Sequence, residues 1–204
     1  MKKRRKPPVG IIGLGIMGGA MAEALLAAGH PVLGYDPAPA AARRLGRAGG
    51  DALGSALAVA QRAAILITSL PSSAALEAAV GGICGFRRGH RARGIVVEMS
   101  TLPIADKERS RARLVRAGWT ALDCPISGTA ARLRDRAWMI FASGERRACA
   151  RVRAVLRVFT DDIPYVGDFG AGMRMKLVAE RLYEDDDKEY VVWKWTPAAE
   201  RSRS

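Results

Sequence analysis

The run from Val9 to His30, VGIIGLGIMGGAMAEALLAAGH, constrains this chain more than any other feature. An apolar strand (Val9, Ile11, Ile12) leads into Gly13, Gly15 and Gly18, and a helix of small residues follows and stops at Gly29. Glycines at G-x-G-x-x-G spacing, with a strand before and a helix after, mark a dinucleotide-binding turn. Each glycine has a mechanical reason. Gly13 permits the tight turn, Gly15 lets the backbone approach a pyrophosphate, and Gly18 lets the helix pack closely on the strand. The helix N-terminus then presents unpaired N–H groups and the positive end of its dipole to the phosphates.

The next segment supports this reading. Val32, Leu33 and Tyr35 form an extended, mostly apolar strand that ends in Asp36. Asp36 falls 18 residues past Gly18, close to where such a fold places a carboxylate for the ribose hydroxyls. A carboxylate there repels a 2′-phosphate, so NAD is favoured over NADP. Arg43 and Arg44 follow and read as the solvated face of the next helix.

Composition narrows the function classes. A chain of 204 residues, 49% of them hydrophobic, can bury a core, and wholesale disorder is excluded. No apolar run is long enough for a membrane span, and Val9–Leu14 is too short and glycine-broken for a signal-peptide core. Cys84, Cys124 and Cys149 lack metal-ligand spacing and are odd in number, so the expectation is free thiols, no metal and a reducing cytoplasm. The net charge of +13 raises the question of nucleic-acid binding. However, the arginines are scattered over amphipathic helices, with no recognition motif and no stripe of stacking aromatics, which argues against it. Lys2–Lys6 reads as the core of a disordered basic arm covering residues 1–8.

Strand and helix patterns keep alternating along the chain. A helix is expected over about Ala38–Ala48. Ile65–Leu70 is a continuous apolar run, as in a strand buried on both faces of a parallel sheet. Pro71 and Ser72 end it, and a helix follows near Ala74–Val80. Gly81–Gly94 reads as a glycine- and arginine-rich connection, and Ile95–Met99 as the next strand. Ser100-Thr101-Leu102-Pro103 turns into a helix that ends at Gly118, with Pro103 suited to its first turn. Trp119–Asp123 and Ala137–Ala142 read as two more strands. Residues 145–159 carry Ala148, Val152, Val155, Leu156 and Phe159 at helical spacing. Pro164–Val166 is a short strand, and Gly170 opens a last helix. This order is that of an α/β fold with a doubly wound, mostly parallel sheet.

Four stretches, in order, carry a family resemblance: the glycine loop with Met17 and Met21; Thr68-Ser69-Leu70-Pro71-Ser72; Met99-Ser100-Thr101 with Pro103; and Asp123-Cys124-Pro125-Ile126-Ser127-Gly128-Thr129. Over about Val9–Val178 the chain resembles the β-hydroxyacid dehydrogenases, which include 3-hydroxyisobutyrate dehydrogenase, tartronate semialdehyde reductase and L-threonate dehydrogenase. The Ser-Gly-Thr turn and the later Ala142-Ser143-Gly144 look closest to the sugar-acid branch. The resemblance implies a Rossmann-type domain over residues 9–168. It also implies NAD held by Gly13, Leu14, Gly15, Ile16, Met17, Gly18, Asp36, Leu70, Pro71 and Thr101. Ser127, Gly128 and Thr129 would bind a small hydroxy-acid substrate, and Lys176 would be the acid/base of hydride transfer. A hydroxyl at Ser127 and backbone N–H groups around Gly128 suit a carboxylate. An ammonium at Lys176 suits a developing alkoxide.

The chain departs from the family in three places. Arg136 stands where a glycine is usual and Trp138 where a leucine is usual. Glu180 replaces the family's asparagine, one helical turn beyond Lys176. Residues 169–182 are expected to begin the helix between domains. Residues 183–204 form a divergent tail, read as a truncated or frame-shifted end in place of the all-helical domain that closes the cleft and builds the family's homo-oligomers. Two functions follow: an NAD-dependent oxidoreductase of a small β-hydroxy acid, or a catalytically inactive NAD-binding fragment.

Overall fold

The computed structural model describes residues 6–86, 94–133, 135–185 and 188–197, with side chains up to Arg174. The first half of the chain runs β1 (Val9–Ile12), α1 (Ile16–Ala27), β2 (Val32–Tyr35), α2 (Pro39–Arg47), β3 (Asp51–Ala52), α3 (Ala56–Arg62), β4 (Ile65–Thr68) and α4 (Ser73–Cys84). It continues with β5 (Gly94–Glu98), α5 (Ile104–Arg116), β6 (Trp119–Asp123), β7 (Ile126–Ser127), β8 (Met139–Ile140), β9 (Ala142–Gly144), α6 (Arg146–Leu156) and β10 (Tyr165–Gly167). β11 (Met175–Asp185) and β12 (Lys188–Pro197) follow.

Strand residues alternate between two separate cores because successive side chains point to opposite faces. Val9 and Ile11 of β1, Ile67 of β4, and Ile95 and Val97 of β5 pack with α1, α2 and α6. Ile12, Leu66 and Val96, from the same three strands, pack with α3, α4 and α5. A sheet covered on both faces must be apolar on both, which accounts for the unbroken Val/Ile/Leu runs.

The eight-stranded sheet has the order β10-β9-β6-β5-β4-β1-β2-β3. From β6 to β3 all neighbours are parallel. β9 is antiparallel to β6, and β10 is parallel to β9. The strand order reverses between β4 and β1, so the carboxyl ends of these strands form the crevice where such sheets bind ligands. The expected doubly wound α/β fold is therefore the observed one.

Several elements differ from the expectations. β3 and α3 were not anticipated. A two-residue strand carries no period to read, whereas α3 is an alanine-rich segment capped by Ser55, whose Oγ accepts the Ala58 N–H at 3.1 Å. α4 runs on to Cys84, past the expected Val80, again behind a serine cap in which Ser72 Oγ accepts the Ala75 N–H. The single strand expected over Ala137–Ala142 is split: β8 pairs with β7, and β9 with β6. The basic arm lies outside the described residues except at its end, where the Lys6 ammonium donates to the Ala28 carbonyl at 2.7 Å.

The largest correction concerns the helix expected to open at Gly170. A single 3-10 turn, Gly172–Arg174, leads instead into β11, which pairs antiparallel with β12. The partner segment Tyr190-Val191-Val192-Trp193 and Trp195-Thr196 is rich in β-branched and aromatic residues, which favour a pleated ladder over a helix. Lys176 stands opposite Thr196, and Glu180 opposite Val192. Four strand residues span about 13 Å, so Lys176 and Glu180 are not the adjacent-turn neighbours that a helix would make them.

Ser55→Ala removes the cap of α3 and leaves the Ala58 N–H without its acceptor. Loss of a serine cap costs about 1 kcal/mol. The urea midpoint should fall by the corresponding amount, with an unchanged slope.

Candidate functional site at the strand ends

The four stretches singled out from the sequence emerge side by side. Ile12, Thr68, Glu98 and Asp123 are the last residues of β1, β4, β5 and β6, and the sheet register pairs each with the next. Gly13, Ser69–Pro71, Met99–Thr101 and Cys124–Thr129 therefore leave the sheet in one row.

The glycine loop forms the first member of that row. Gly13 has φ +90°, and a Cβ there would lie 2.2 Å from the Ser69 carbonyl oxygen. A Cβ at Gly18 would lie 1.8 Å from the Gly13 carbonyl oxygen, a backbone contact that cannot yield. A Cβ at Gly15 would meet nothing within 4 Å, so the space above it is open. α1 begins directly after Gly15 with no side-chain cap. Ile16 beside it is 83% exposed, Met17 is half-buried, and Leu14 is buried. An open cradle over an uncapped helix N-terminus fits a pyrophosphate.

Asp36 ties the end of β2 to this loop. Its Oδ2 accepts the Leu14 N–H at 2.7 Å, and its Oδ1 accepts the Ala38 N–H at 2.8 Å. Each oxygen retains a second lone pair for a ribose hydroxyl. Arg44 does not simply face solvent as expected: its guanidinium donates to the Leu14 carbonyl oxygen, and it reaches that of Gly15 at 3.5 Å.

The next two loops are joined to each other. The Leu70 N–H donates to Ser100 Oγ at 2.8 Å. Pro71 and Thr101 are exposed on the outer side of this junction. Farther along the row, Ser127 is half-buried, whereas Gly128 and Thr129 are exposed.

Of the two departures, the one at 138 serves this last turn and the one at 136 holds the segment that leads up to Trp138. Trp138 is buried, and its indole N–H donates to the Thr129 carbonyl oxygen at 2.7 Å. Gly128 has φ +146°, and a Cβ there would lie 2.5 Å from Trp138 Cδ1, so this glycine is required. Arg136 has φ +54°, the left-handed region in which a glycine is comfortable. Its guanidinium donates to Asp161 Oδ2 at 2.8 Å and to the Arg157 carbonyl oxygen at 3.0 Å, which holds the strained residue in place.

Lys176 lies at the second position of β11, and its side chain is outside the described residues. The backbone leading to it is anchored at the row. A Cβ at Gly172 would lie 2.9 Å from both Pro125 Cγ and the Phe141 carbonyl oxygen, and the Gly170 N–H donates to Ser143 Oγ at 3.3 Å.

Sequence reasoning missed the charges beneath the row. Lys107 of α5 is buried between Asp123 and Glu98. Burial pushes the Glu98 and Asp123 carboxyls up, and the Lys107 ammonium pulls them down. In the folded helix Lys107 lines up with the buried Ser110 and Leu114, a stripe too polar to be read from the sequence. Cys124 is fully buried in the core, and burial raises its thiol well above its ordinary range. Among the described residues no cluster of His, Cys, Asp and Glu is set to hold a metal, and no helix is long and apolar enough to cross a membrane.

Fold and site together define a dinucleotide-binding α/β domain. Residues 8–167 match the family described as the NAD binding domain of 6-phosphogluconate dehydrogenase, and the chain belongs to that family. The likeness to β-hydroxyacid dehydrogenases also holds. The chain is 30% identical over 178 residues to human mitochondrial 3-hydroxyisobutyrate dehydrogenase, covering 87% of this chain and 53% of that protein. It is 30% identical over 175 residues to L-threonate dehydrogenase of Cupriavidus necator, covering 85% and 59%. The solved 3-hydroxyisobutyrate dehydrogenase of Mycobacterium tuberculosis with L-serine superposes with a TM-score of 0.77 at 28% identity, covering 82% of this chain and 56% of that one. The chain thus spans little more than half the length of these relatives.

The left-handed backbone at Arg136 is testable. Arg136→Ala removes the hydrogen bonds and keeps the strain, whereas Arg136→Gly removes both. The glycine variant should be more stable than the alanine variant by about 1 kcal/mol in urea denaturation.

Proposed function

We propose that this chain carries the cofactor site, and one wall of the substrate site, of an NAD-dependent oxidoreductase acting on a small β-hydroxy acid. The observation that carries the reading is the row of strand ends, which brings the glycine loop, the 69–71 and 99–101 loops and the 124–129 turn to one side of the sheet. NAD bound there would supply the acceptor or donor of a hydride.

The chain's own residues divide the remaining work. The open backbone at Gly15 and the first turn of α1 receive the diphosphate. Asp36 takes the adenosine ribose hydroxyls and disfavours a 2′-phosphate. Leu70, Pro71 and Thr101 lie along the nicotinamide side. Ser127 and the N–H groups around Gly128 and Thr129 hold the substrate carboxylate. Lys176 gives a proton to the substrate oxygen or takes one from it. Its support is the resemblance, together with the Gly170–Gly172 anchor that starts its strand at the substrate turn.

The strand at Lys176 also favours a second reading, a domain that binds NAD without turnover. Assays with 3-hydroxyisobutyrate, tartronate semialdehyde and threonate separate the two: NADH formation or consumption supports the first, and NADH binding without turnover supports the second. Failure to bind NADH overturns both.

Two outcomes are expected from cofactor titration. NADH should bind more tightly than NADPH, and Asp36→Ala should narrow the difference; tighter NADPH binding in the parent would refute the role of Asp36. Gly15→Val should fold with a urea midpoint near the parent's, because its side chain enters open space. NADH affinity should nonetheless fall by about a hundredfold or more, since the valine takes the place of the diphosphate.

A further inference from the structure

A buried ion cluster lies directly beneath the row, and no step above makes use of it. Lys107 is fully buried, with its ammonium 2.6 Å from Asp123 Oδ1 and 2.9 Å from Glu98 Oε2. Glu98 and Asp123 end neighbouring strands in register, with Thr68 next in line. Both Glu98 oxygens accept the Ser100 N–H, at 3.0 and 3.2 Å, and Oε1 also faces the Thr68 hydroxyl at 3.4 Å. Ser100 in turn holds the Leu70 N–H. On the other side, the Ser143 hydroxyl donates to the Asp123 carbonyl oxygen at 2.9 Å and accepts the Gly170 N–H. One ammonium is therefore connected to the 69–71 loop, the 99–101 loop, the start of the 124–129 turn and the segment that leads to Lys176.

Stability does not explain such a cluster. Three charges lose their hydration, and well-packed apolar residues of similar volume often do as well or better. The Asp123 Oδ2 atom is even left buried without a partner among the described residues. What ion pairs add over an apolar layer is direction: charged hydrogen bonds are short and geometrically exacting. The glycine loop packs on Ser69 but makes its own hydrogen bonds to β2 and Asp36: the Gly13 N–H donates to the Tyr35 carbonyl oxygen and the Leu14 N–H to Asp36.

Resting on the reading of the site given above, we infer that Glu98, Lys107 and Asp123 form a positioning device that sets the nicotinamide-side loops against the substrate turn and leaves the diphosphate cradle untouched. The device predicts a split between ligands. ADP-ribose uses only the cradle and Asp36, whereas NADH also needs the loops that the cluster holds.

The test compares the parent with the triple variant Glu98→Gln/Lys107→Met/Asp123→Asn, which removes all three charges and keeps their volume. Each is titrated with NADH and with ADP-ribose, and amide hydrogen exchange is followed by residue. In the triple variant NADH affinity should fall about fivefold or more, as for the loss of one net hydrogen bond, while ADP-ribose affinity stays within about twofold. Exchange at Leu70, Ser100 and residues 124–129 should quicken, with residues 13–21 unchanged. Ser100→Ala, which cuts the network without touching a buried charge, should show the same ligand split and decides the matter if the triple variant does not fold. Unchanged NADH affinity and loop exchange would overturn the inference. So would loss of both ligands together with faster exchange throughout, because that outcome describes a role in folding alone. If the parent fails to bind NADH, the proposed function falls, and the pattern of loop exchange still decides for or against the device.

Discussion

A parallel sheet covered by helices on both faces leaves its strand ends as the place where polar groups gather without disrupting a core. This constraint organises the whole domain. The interiors of β1, β4 and β5 are mostly valine, isoleucine and leucine, divided between two apolar layers. Polar side chains enter at the final positions, as Thr68, Glu98 and Asp123. Once the strands share one register their loops must share one rim, so residues far apart in the chain meet without any long connection. The close backbone approach of Gly18 to Gly13 does the same for the first strand and its helix, drawing the start of α1 against the rim.

Much of this was legible in the sequence, because it rests on local chemistry. The glycine spacing, the apolar runs and the acid after the second strand each report a constraint that acts within a few residues of itself. The failures are where a distant partner decides. Lys176-Leu-Val-Ala-Glu180 is compatible with a helix by propensity, and only pairing with Tyr190–Thr196 makes it a strand. Lys107 drew no reading of its own, because Glu98 and Asp123 reach it only once the sheet brings them there. Asp51–Ala52 is a strand because β2 lies beside it, and two residues have no pattern of their own.

The residues at 136 and 138 show how local backbone geometry survives a change in composition. A tryptophan fills the space over Gly128 and closes a hydrogen bond to the same turn, so its bulk and its N–H are both used. A left-handed arginine keeps the backbone path of a glycine because Asp161 and the Arg157 carbonyl hold its far end. Local strain persists where its surroundings over-determine it. Here the compensation comes from residues more than twenty positions away.

The two borders of the eight-stranded sheet are short. β3 contributes two residues at one border, and β10 contributes three, with an irregular register, at the other. A border strand exposes unsatisfied amides and carbonyls that can recruit a further strand from another molecule, and brevity is one of the ways proteins blunt this hazard. At neither border is there enough ladder to template such growth. Short borders thereby disfavour association between copies of this domain by continuation of its main sheet.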